Sequence, residues 1–263
     1  MSEQILVGAV AYHPRIVTIW ERFRDYFADA GVPTDYILYS NYERLVDALL
    51  AGEVDIAWNT NTAYVAAEQR IGGDAQLLGM RDVDADFRTV VAVRRGETFA
   101  ELGELDGKRL SLGSRDSGHA AILPLHWVRE AAAEPTLVRF DTDLGKHGDT
   151  GDSEVRVVEA VAGGDADAGA LGDATWVALR EQGHPAVAEL ELAWRSPTYY
   201  HCNFTALPGF EGAAWSEALL AMSYEEPTLR PAMDLEGVKQ WLPADKDGYT
   251  TLTEAMREQG YLG

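Results

Sequence analysis

The strongest constraint in this sequence is an alternation of strand-length apolar runs with amphipathic helical segments. Residues 5–12 form the first apolar run, and residues 14–30 then repeat apolar side chains at helical spacing. The order recurs as a strand at 33–40, a helix at 41–51, a strand at 54–58 and a helix at 62–70. Strands separated by helices are typical of a mostly parallel sheet covered on both faces, so we predict an α/β fold.

Two strand-like segments, 88–93 and 192–196, enclose a second complete alternation. This middle part contains, in order, a strand at 109–112, a helix from Ser117, an extended segment at 136–140, a helix at 153–162 and a strand at 166–170. The simplest arrangement has two lobes, with 1–91 and 197–263 forming a discontinuous first lobe and 92–196 forming the second. The two strand-like segments would then act as hinges.

Charge and composition exclude several classes of partner. The 22 basic and 43 acidic residues give a formal net charge of -21, and no basic patch offsets it. Such a protein is repelled by nucleic acids and by anionic membrane surfaces, so we expect neither as a partner. The acidity is typical of a solvated shell that favours solubility. The single cysteine, Cys202, leaves no internal disulfide.

The N-terminal sequence, MSEQILVGAVAYHP, does not read as a secretory signal. It has an acidic residue where a signal would be basic, and its apolar run is short. No other stretch approaches the length of a membrane span, so membrane insertion is not expected. We therefore predict a cytoplasmic protein, or an extracytoplasmic one whose export signal has been removed.

Short catalytic motifs are absent: the sequence contains no HExxH, no CxxC, no glycine-rich phosphate loop and no nucleophile elbow. No catalytic residue and no cofactor is therefore assigned. Side chains that can bind a metal or transfer a proton are nevertheless present, and three or more of them would make a metal site if the fold brought them together. These residues are His13, Asp116, His119, His147, Glu154, His201 and Cys202.

Residues 40–61, SNYERLVDALLAGEVDIAWNTN, resemble the signature of the phosphate/phosphite/phosphonate-type substrate-binding proteins of ABC transporters. The blocks LDGKRLSLGSRDSGHAAILP, VVEAVAGGDADAGAL and WRSPTYY agree with that family. The resemblance implies a type II periplasmic-binding-protein-like fold, in which two lobes close on a small ligand held in the interlobe cleft. It also implies an ABC permease as a partner.

In this family the second lobe grips an anion with hydroxyl side chains and with backbone N–H groups at a helix N-terminus. The matching segment here is 114–118, where the family's Ser-Thr-Ser run is replaced by Arg115, Asp116 and Ser117. A carboxylate within about 4 Å of a phosphonate dianion would cost roughly several kcal/mol. Asp116 or Ser117 could instead cap the helix, because both residue types are good N-caps.

Other second-lobe residues follow from the same resemblance. The family's anion-binding histidine corresponds to Glu154, or to His147 if the loop before it is an insertion. Asp173 matches an acidic residue that receives the amino end of an aminophosphonate, although it could also be an N-cap. His119 completes the predicted second-lobe set.

The predicted first-lobe set comprises Tyr12, His13, Tyr42, Asn59 and Asn61. Asn59 and Asn61 follow the VDIAW strand, at the edge where ligands of open α/β sheets bind. Tyr42 either donates its phenol to the ligand or packs against Trp58.

The segment 199–205, YYHCNFT, adds His201. If it is a strand, alternation puts Tyr199 and His201 on one side and Tyr200 and Cys202 on the other. We therefore predict His201 in the cleft and Cys202 as a small buried hydrophobe, with a reactive Cys202 as the alternative.

The excess of carboxylates in these sets predicts a small polar ligand with a cationic or amine part, a phosphonate-like zwitterion in preference to bare phosphate. The alternative function is an intracellular enzyme on the same fold, possibly metal-dependent, in which closure of the lobes excludes water from a small metabolite.

Overall fold

In the computed structural model, which describes residues 4–262, strands and helices alternate as the sequence predicts. The first part contains β1 (Ile5–Val10), α1 (Arg15–Asp29), β2 (Thr34–Tyr39), α2 (Tyr42–Leu50), β3 (Ile56–Asn59), α3 (Asn61–Ile71), β4 (Gln76–Arg81) and α4 (Asp82–Ala85). Local chemistry sets the boundaries. The side chain of Thr60 accepts a hydrogen bond from the N–H of Ala63, so α3 begins one residue before the predicted start.

The middle part contains β5 (Thr89–Arg94), β6 (Arg109–Leu112), α5 (Leu123–Glu130), β7 (Thr136–Arg139), α6 (Asp152–Ala162), β8 (Ala168–Gly172), α7 (Asp173–Glu181), α8 (Pro185–Ala188) and β9 (Leu190–Arg195). A π-helical turn, Gly118–Ile122, leads directly into α5. The last part contains β10 (Asn203–Ala206), α9 (Ala213–Ala221), α10 (Arg230–Glu236), β11 (Trp241–Leu242) and α11 (Thr250–Glu258).

The chain divides into two compact units, and each has its own sheet. The first unit comprises residues up to 86 together with 199–250, and the second comprises 87–198 together with the residues from 251 onward. The first sheet has the strand order β11-β4-β10-β3-β1-β2 and the second the order β7-β6-β8-β5-β9. Helices flank both sheets, which confirms the predicted type of α/β fold.

Most strands of each sheet run in one direction. β1, β2 and β3 are parallel in the first unit, and β6, β7 and β8 are parallel in the second. Three described strands run against their neighbours: β10 lies antiparallel between β3 and β4, β11 lies antiparallel beside β4, and β5 lies antiparallel between β8 and β9. β10, which overlaps only the second half of the possible strand at 199–205, therefore forms part of the centre of the first sheet.

The unit boundaries differ from the predicted ones at 91/92 and 196/197. β5 pairs along its length with β8, from Thr89 opposite Gly172 to Val93 opposite Ala168, so all of β5 lies in the second unit. The predicted first lobe also includes residues 1–3 and 263, which lie outside the described residues.

The end of the chain lies in the second unit, where the prediction had placed it with the first. The carboxylate of Glu258 contacts Nδ1 of His126 at 2.6 Å, and Gln259 donates to the carbonyl of Ile122 at 2.8 Å. The hydroxyl of Tyr261 donates to the carbonyl of Arg115 at 2.6 Å. These partners follow β6 in sequence, so they hold the C-terminal residues against the second unit.

Aromatic residues dominate the core of the first unit. The ring of Trp58 packs on Phe204 of β10 with centroids 4.4 Å apart, and Phe27 stacks on Trp215 at 4.8 Å. The second core is aliphatic, with Val90, Val158 and Leu171 fully buried. Within the described residues, no helix combines the length and the apolar character of a membrane span.

The second sheet packs so closely on α6 that Gly169 has no room for a side chain. A Cβ at this position would lie 2.6 Å from Ser111 Oγ, 2.6 Å from Val157 Cγ1 and 2.8 Å from Val161 Cγ2. We expect Gly169→Ala to lower the free energy of unfolding by about 1–3 kcal/mol, as overpacking of a core does. Urea denaturation measures this change.

A double-mutant cycle with Val157→Ala tests the cause. Because Val157→Ala removes one of the crowding methyl groups, the double variant should lose less stability than the sum of the two single variants. Strict additivity would contradict the crowding explanation.

Candidate functional site

Five of the predicted first-lobe residues lie at the carboxyl edge of the first sheet. Tyr12 and His13 follow β1, Asn59 ends β3, and Asn61 begins α3. β10 runs antiparallel to β3 with Asn203 opposite Asn59, so His201, two residues before Asn203, reaches the same edge. The topology thus brings these five together.

The two asparagines of this edge are buried, and their side-chain amides form some of the hydrogen bonds available to them. Asn59 is fully buried and donates from Nδ2 to Thr205 Oγ1 at 3.1 Å, while its Oδ1 has no hydrogen-bond partner among the described residues. Asn61 accepts from the N–H of Thr62 at 2.8 Å and donates to the carbonyl of Tyr200 at 3.4 Å. Asn59 Oδ1 is therefore an acceptor that a ligand donor can use.

The remaining predicted residues of the first unit differ in exposure. Tyr12 is half-buried, with the guanidinium of Arg15 5.7 Å from its ring centroid, and His13 is exposed. Tyr42 is 1% exposed and packs in the hydrophobic cluster that contains Val10 and Leu49. Trp58, its predicted packing partner, belongs to a different cluster.

The predicted split of His201 and Cys202 onto opposite faces is wrong. Residues 200–202 are not a strand, since β10 begins only at Asn203, and alternation therefore does not apply to them. The sulfur of Cys202 instead lies 3.0 Å from Nδ1 of His201. Both side chains are about 4% exposed, so Cys202 is buried as predicted but has a polar neighbour.

Asp84, which the sequence did not single out, completes this group. Its Oδ1 lies 3.4 Å from His201 Nδ1, and its backbone carbonyl accepts the N–H of His201 at 3.0 Å. Arg81 donates to both carboxylate oxygens of Asp84, at 2.6 and 2.9 Å. No short motif signals this group, because Asp84 lies at the end of the first chain segment of this unit and His201 lies at the start of the second.

The Asp84 carboxylate is ionised despite its burial. Burial alone raises the pKa of Asp84, but the positive charge of Arg81 and hydrogen bonds from His201 and Arg81 lower it to about 2. Arg81 is itself fixed by Glu236, whose carbonyl accepts from Nη1 at 2.8 Å, and by the ring of Trp58 5.4 Å away. The first unit thus contains a buried ion pair at the end of β4.

The second-lobe residues gather at the carboxyl edge of the second sheet. The segment 114–117 follows β6, and Asp173 follows β8. Ser117 is the N-cap of the helix: its Oγ accepts the N–H of Ala120 at 3.2 Å. Of the two residues that could cap, Ser117 therefore does so.

Asp116 does more than face a possible ligand, because it also holds the loop 141–151. Its Oδ2 accepts the N–H of Gly145 at 2.6 Å, which ties the loop 141–151 to the helix start, and its Oδ1 has no partner among the described residues. Burial raises the pKa of Asp116 above its usual value, against the lowering effect of the Gly145 hydrogen bond. His147 Nε2 lies 3.9 Å from Asp116 Oδ2, so these two candidates do come together.

Two further aspartates shape this loop. Asp141 pairs with Arg115, accepting from its Nε at 2.9 Å and from its backbone N–H at 2.9 Å, which holds Arg115 outward with 58% of its side chain exposed. Asp143 accepts the hydroxyl of Thr150 and the N–H of Ser153 at 3.0 Å. Arg115 therefore does not turn inward to supply positive charge at the helix start.

Gly148 brings this loop onto the helix start. A Cβ at this position would lie 2.8 Å from Ser117 Oγ and 3.1 Å from the imidazole of His119, and the residue has a φ of +87°. Only glycine fits both the left-handed backbone and the close approach. The loop therefore covers the place where the family resemblance puts the anion.

His119 and Glu154 form a buried pair. His119 Nε2 lies 3.3 Å from Glu154 Oε2, and both side chains are at most 5% exposed. Glu154 also accepts the N–H of Gly172 at 2.7 Å and the hydroxyl of Thr175 at 3.0 Å. Burial lowers the pKa of His119, but the charge of Glu154 and its hydrogen bond outweigh this and place the pKa above the usual value.

Asp173 begins α7 and is half-buried. Its own backbone N–H donates to the carbonyl of Arg88 at 3.0 Å. Burial raises the pKa of Asp173, against hydrogen bonds from the backbone and the charges of Arg195 and Arg88. Asp116 holds a loop amide and Glu154 pairs with a histidine, whereas the described hydrogen bonds of the Asp173 carboxylate are to the backbone of Ala174 and Arg88. Its remaining acceptor positions can receive a cationic group.

The model of the family "ABC transporter, phosphonate, periplasmic substrate-binding protein" matches residues 7–249 of this chain. The chain is also 22% identical over 240 residues to a probable ABC transporter phosphite-binding protein, PhnD1, of Prochlorococcus marinus. That match covers 86% of this chain and 79% of the relative. The family match confirms the resemblance on which the sequence analysis rests.

Solved structures agree in fold. PhnD1 of Prochlorococcus marinus in complex with methylphosphonate superposes with a TM-score of 0.75 at 20% identity, covering 99% of both chains. The periplasmic aliphatic sulphonate-binding protein SsuA of Escherichia coli superposes with a TM-score of 0.65 at 14% identity, covering 100% of this chain and 94% of SsuA. These likenesses confirm a type II periplasmic-binding-protein fold, and the comparisons as a whole favour a binding protein over the enzyme alternative.

The raised pKa of His119 gives a testable pH dependence. The unfolded value is about 6.5, so the pair stabilises the folded state fully below that pH. The contribution is lost as the pH rises through the higher folded-state pKa. We expect Glu154→Gln to lower the pKa of His119, measured by NMR titration of its ring protons, and to remove this part of the pH dependence of the free energy of unfolding.

Thr175→Val is the matched control, because it deletes one hydrogen bond to Glu154 and keeps the carboxylate charge. It should lower the pKa of His119 less than Glu154→Gln does. An unchanged pKa in Glu154→Gln would show that the pair is not electrostatically coupled.

Proposed function

This chain belongs to the phosphonate family of periplasmic substrate-binding proteins of ABC transporters, and from that membership we propose that it binds a small phosphonate-like ligand for delivery to an ABC permease. The observation that carries this proposal is the family match over residues 7–249, because it includes both units and both candidate edges. The family description also supports the extracytoplasmic alternative over a cytoplasmic location.

The chemistry at the second edge supports a ligand that carries an amine as well as an acidic group. Asp116 and Asp173 follow the ends of β6 and β8, and both retain carboxylate acceptor capacity. Two like charges about 4 Å apart repel by about 4 kcal/mol at an effective dielectric constant of 20. A bare dianion therefore gains less at this edge than a zwitterion whose ammonium group faces Asp173.

The acidic group of the ligand needs a positive partner, and the helix start supplies one. Helix N-termini carry partial positive charge and present backbone N–H groups, which bind phosphonate oxygens without any basic side chain. The π-helical turn from Gly118 and α5 form one continuous helix behind Ser117. Since Gly148 lies against Ser117, ligand entry at this point requires the loop 141–151 to shift.

Ligand binding by residues of the first unit is a prediction. Asn59 Oδ1 is the best-supported group there, since a fully buried carbonyl oxygen without a partner is costly unless a donor reaches it. An amine or a hydroxyl group of the ligand would be such a donor. The predicted binding in an interlobe cleft likewise remains a prediction.

A matched pair of ligands tests the proposed chemistry. Ethylphosphonate and 2-aminoethylphosphonate have the same carbon chain and differ in the terminal amine. A hydrogen bond between charged groups contributes about 1.5–3 kcal/mol, so we expect isothermal titration calorimetry to show roughly 10- to 100-fold tighter binding of the amino compound. Asp173→Asn should remove most of this preference and leave the affinity for ethylphosphonate nearly unchanged.

Asp152→Asn is the control, because Asp152 is an exposed carboxylate at the start of α6 outside the predicted set. It should retain the wild-type preference. Equal affinity for the two ligands would disprove the hypothesis that the site recognises an amine, but not the receptor function. Absence of binding by any phosphonate, phosphite or sulfonate would contradict the receptor function itself.

A further inference from the structure

Three metal-ligating side chains converge in the first unit, away from the second-edge residues discussed above. Cys202 Sγ lies 3.0 Å from His201 Nδ1, and His201 Nδ1 lies 3.4 Å from Asp84 Oδ1. All three ligand atoms lie within 4.8 Å of one another. Each of these residues is at most 4% exposed, so bulk water competes little for them.

The arrangement is not that of a catalytic triad. In a nucleophile–histidine–carboxylate triad the sulfur and the carboxylate face different ring nitrogens. Here both face the same nitrogen, Nδ1, which can direct only one N–H group. A metal ion satisfies a nitrogen, a sulfur and an oxygen that point to one place. Ligand atoms about 2.0–2.3 Å from a tetrahedral ion are separated by roughly 3.3–3.8 Å. The 3.4 Å between His201 Nδ1 and Asp84 Oδ1 lies in this range, whereas the 3.0 Å between Cys202 Sγ and His201 Nδ1 has to lengthen when the ion binds.

We propose that Asp84, His201 and Cys202 bind a divalent transition-metal ion of the zinc class, with the fourth coordination position open to water or another donor. Closed structural zinc sites have four protein ligands, whereas three protein ligands with a fourth position for water or substrate are typical of zinc sites that act on a ligand. The thiolate excludes Mg²⁺ and Ca²⁺, which take oxygen ligands, and favours Zn²⁺, Co²⁺ or Cd²⁺. This inference does not depend on which ligand the protein carries.

Arg81 is compatible with this site. An ionised carboxylate offers about four lone-pair positions, and Arg81 uses one on each oxygen of Asp84, which leaves the others available. Hydrogen bonds of this kind orient a ligating carboxylate. The backbone hydrogen bond from His201 to the Asp84 carbonyl, 3.0 Å long, fixes the two ligands relative to each other.

The charges also balance. Arg81 and a divalent ion together carry three positive charges. Asp84, a Cys202 thiolate and Glu236, which accepts from Arg81 at 3.3 Å, carry three negative ones. A buried group of this kind is tolerated when its charges are paired.

Cobalt substitution tests the site directly. Because the chain has a single cysteine, a thiolate-to-cobalt charge-transfer band in the near ultraviolet can come only from Cys202. We expect chelator-treated protein to bind one equivalent of Co²⁺ with this band and with the visible bands of a tetrahedral ion. Zn²⁺ should displace it, and Mg²⁺ should not.

Variants assign the other ligands. Cys202→Ser should abolish the charge-transfer band. His201→Gln and Asp84→Asn should each weaken Co²⁺ binding by more than the about 10- to 100-fold that loss of an outer partner costs. His126→Gln is the matched control, since His126 is another buried histidine paired with a carboxylate, and it should leave binding unchanged.

Three other results would contradict the proposed metal site. Co²⁺ binding without the thiolate band would place the ion elsewhere, and a band that survives with unchanged affinity in His201→Gln would remove the histidine from the set. No binding of Co²⁺ or Zn²⁺ by the wild type would mean that the three groups form only a hydrogen-bonded cluster. If Cys202→Ser does not fold, the wild-type spectrum still decides, because no other thiol is present.

Discussion

A buried carboxylate is stable only when a cation or several donors face it, and both units of this protein contain such a carboxylate near the carboxyl edge of the sheet. In the first unit Arg81 and His201 face Asp84. In the second unit His119, with two hydrogen-bond donors, faces Glu154. These pairs fix the loops that follow the strands, and those loops present the polar groups from which binding is inferred.

The second edge departs from the family pattern in a consistent way. Asp116 accepts a loop amide and Asp143 holds the start of α6, so carboxylates organise the segment where hydroxyl residues are expected. Arg115 is held outward by Asp141. The departure therefore replaces hydroxyl side chains at the helix start with a carboxylate and an outward-facing arginine. The backbone dipoles and carboxylates that remain suit a zwitterion better than a dianion.

Much of the fold was predictable from periodicity and from the family blocks. The predicted strand 109–112 coincides with β6, and the other predicted elements agree to within a few residues. The start of β10 was not predictable in this way, because the possible strand at 199–205 includes residues 200–202, which are irregular, and β10 begins only at Asn203. The location of the C-terminal helix was also not predictable, since its contacts with His126 and Ile122 depend on tertiary structure.

The site was less predictable than the fold. The sequence pointed to His119, Glu154 and Asp116, but it did not show that two of them pair with each other and that the third holds a loop. It treated Cys202 as a hydrophobe because alternation was applied to a segment that is not a strand. Asp84 has no signal in the sequence, since His201 and Cys202, the other members of its group, lie in the returning chain segment.

A crystal structure with 2-aminoethylphosphonate tests the central claim most directly. We predict phosphonate oxygens at the helix start beside Ser117 and the ammonium group within about 2.7–3.2 Å of Asp173. A ligand bound away from the carboxyl edges of both sheets, with the loop 141–151 unmoved, would contradict it.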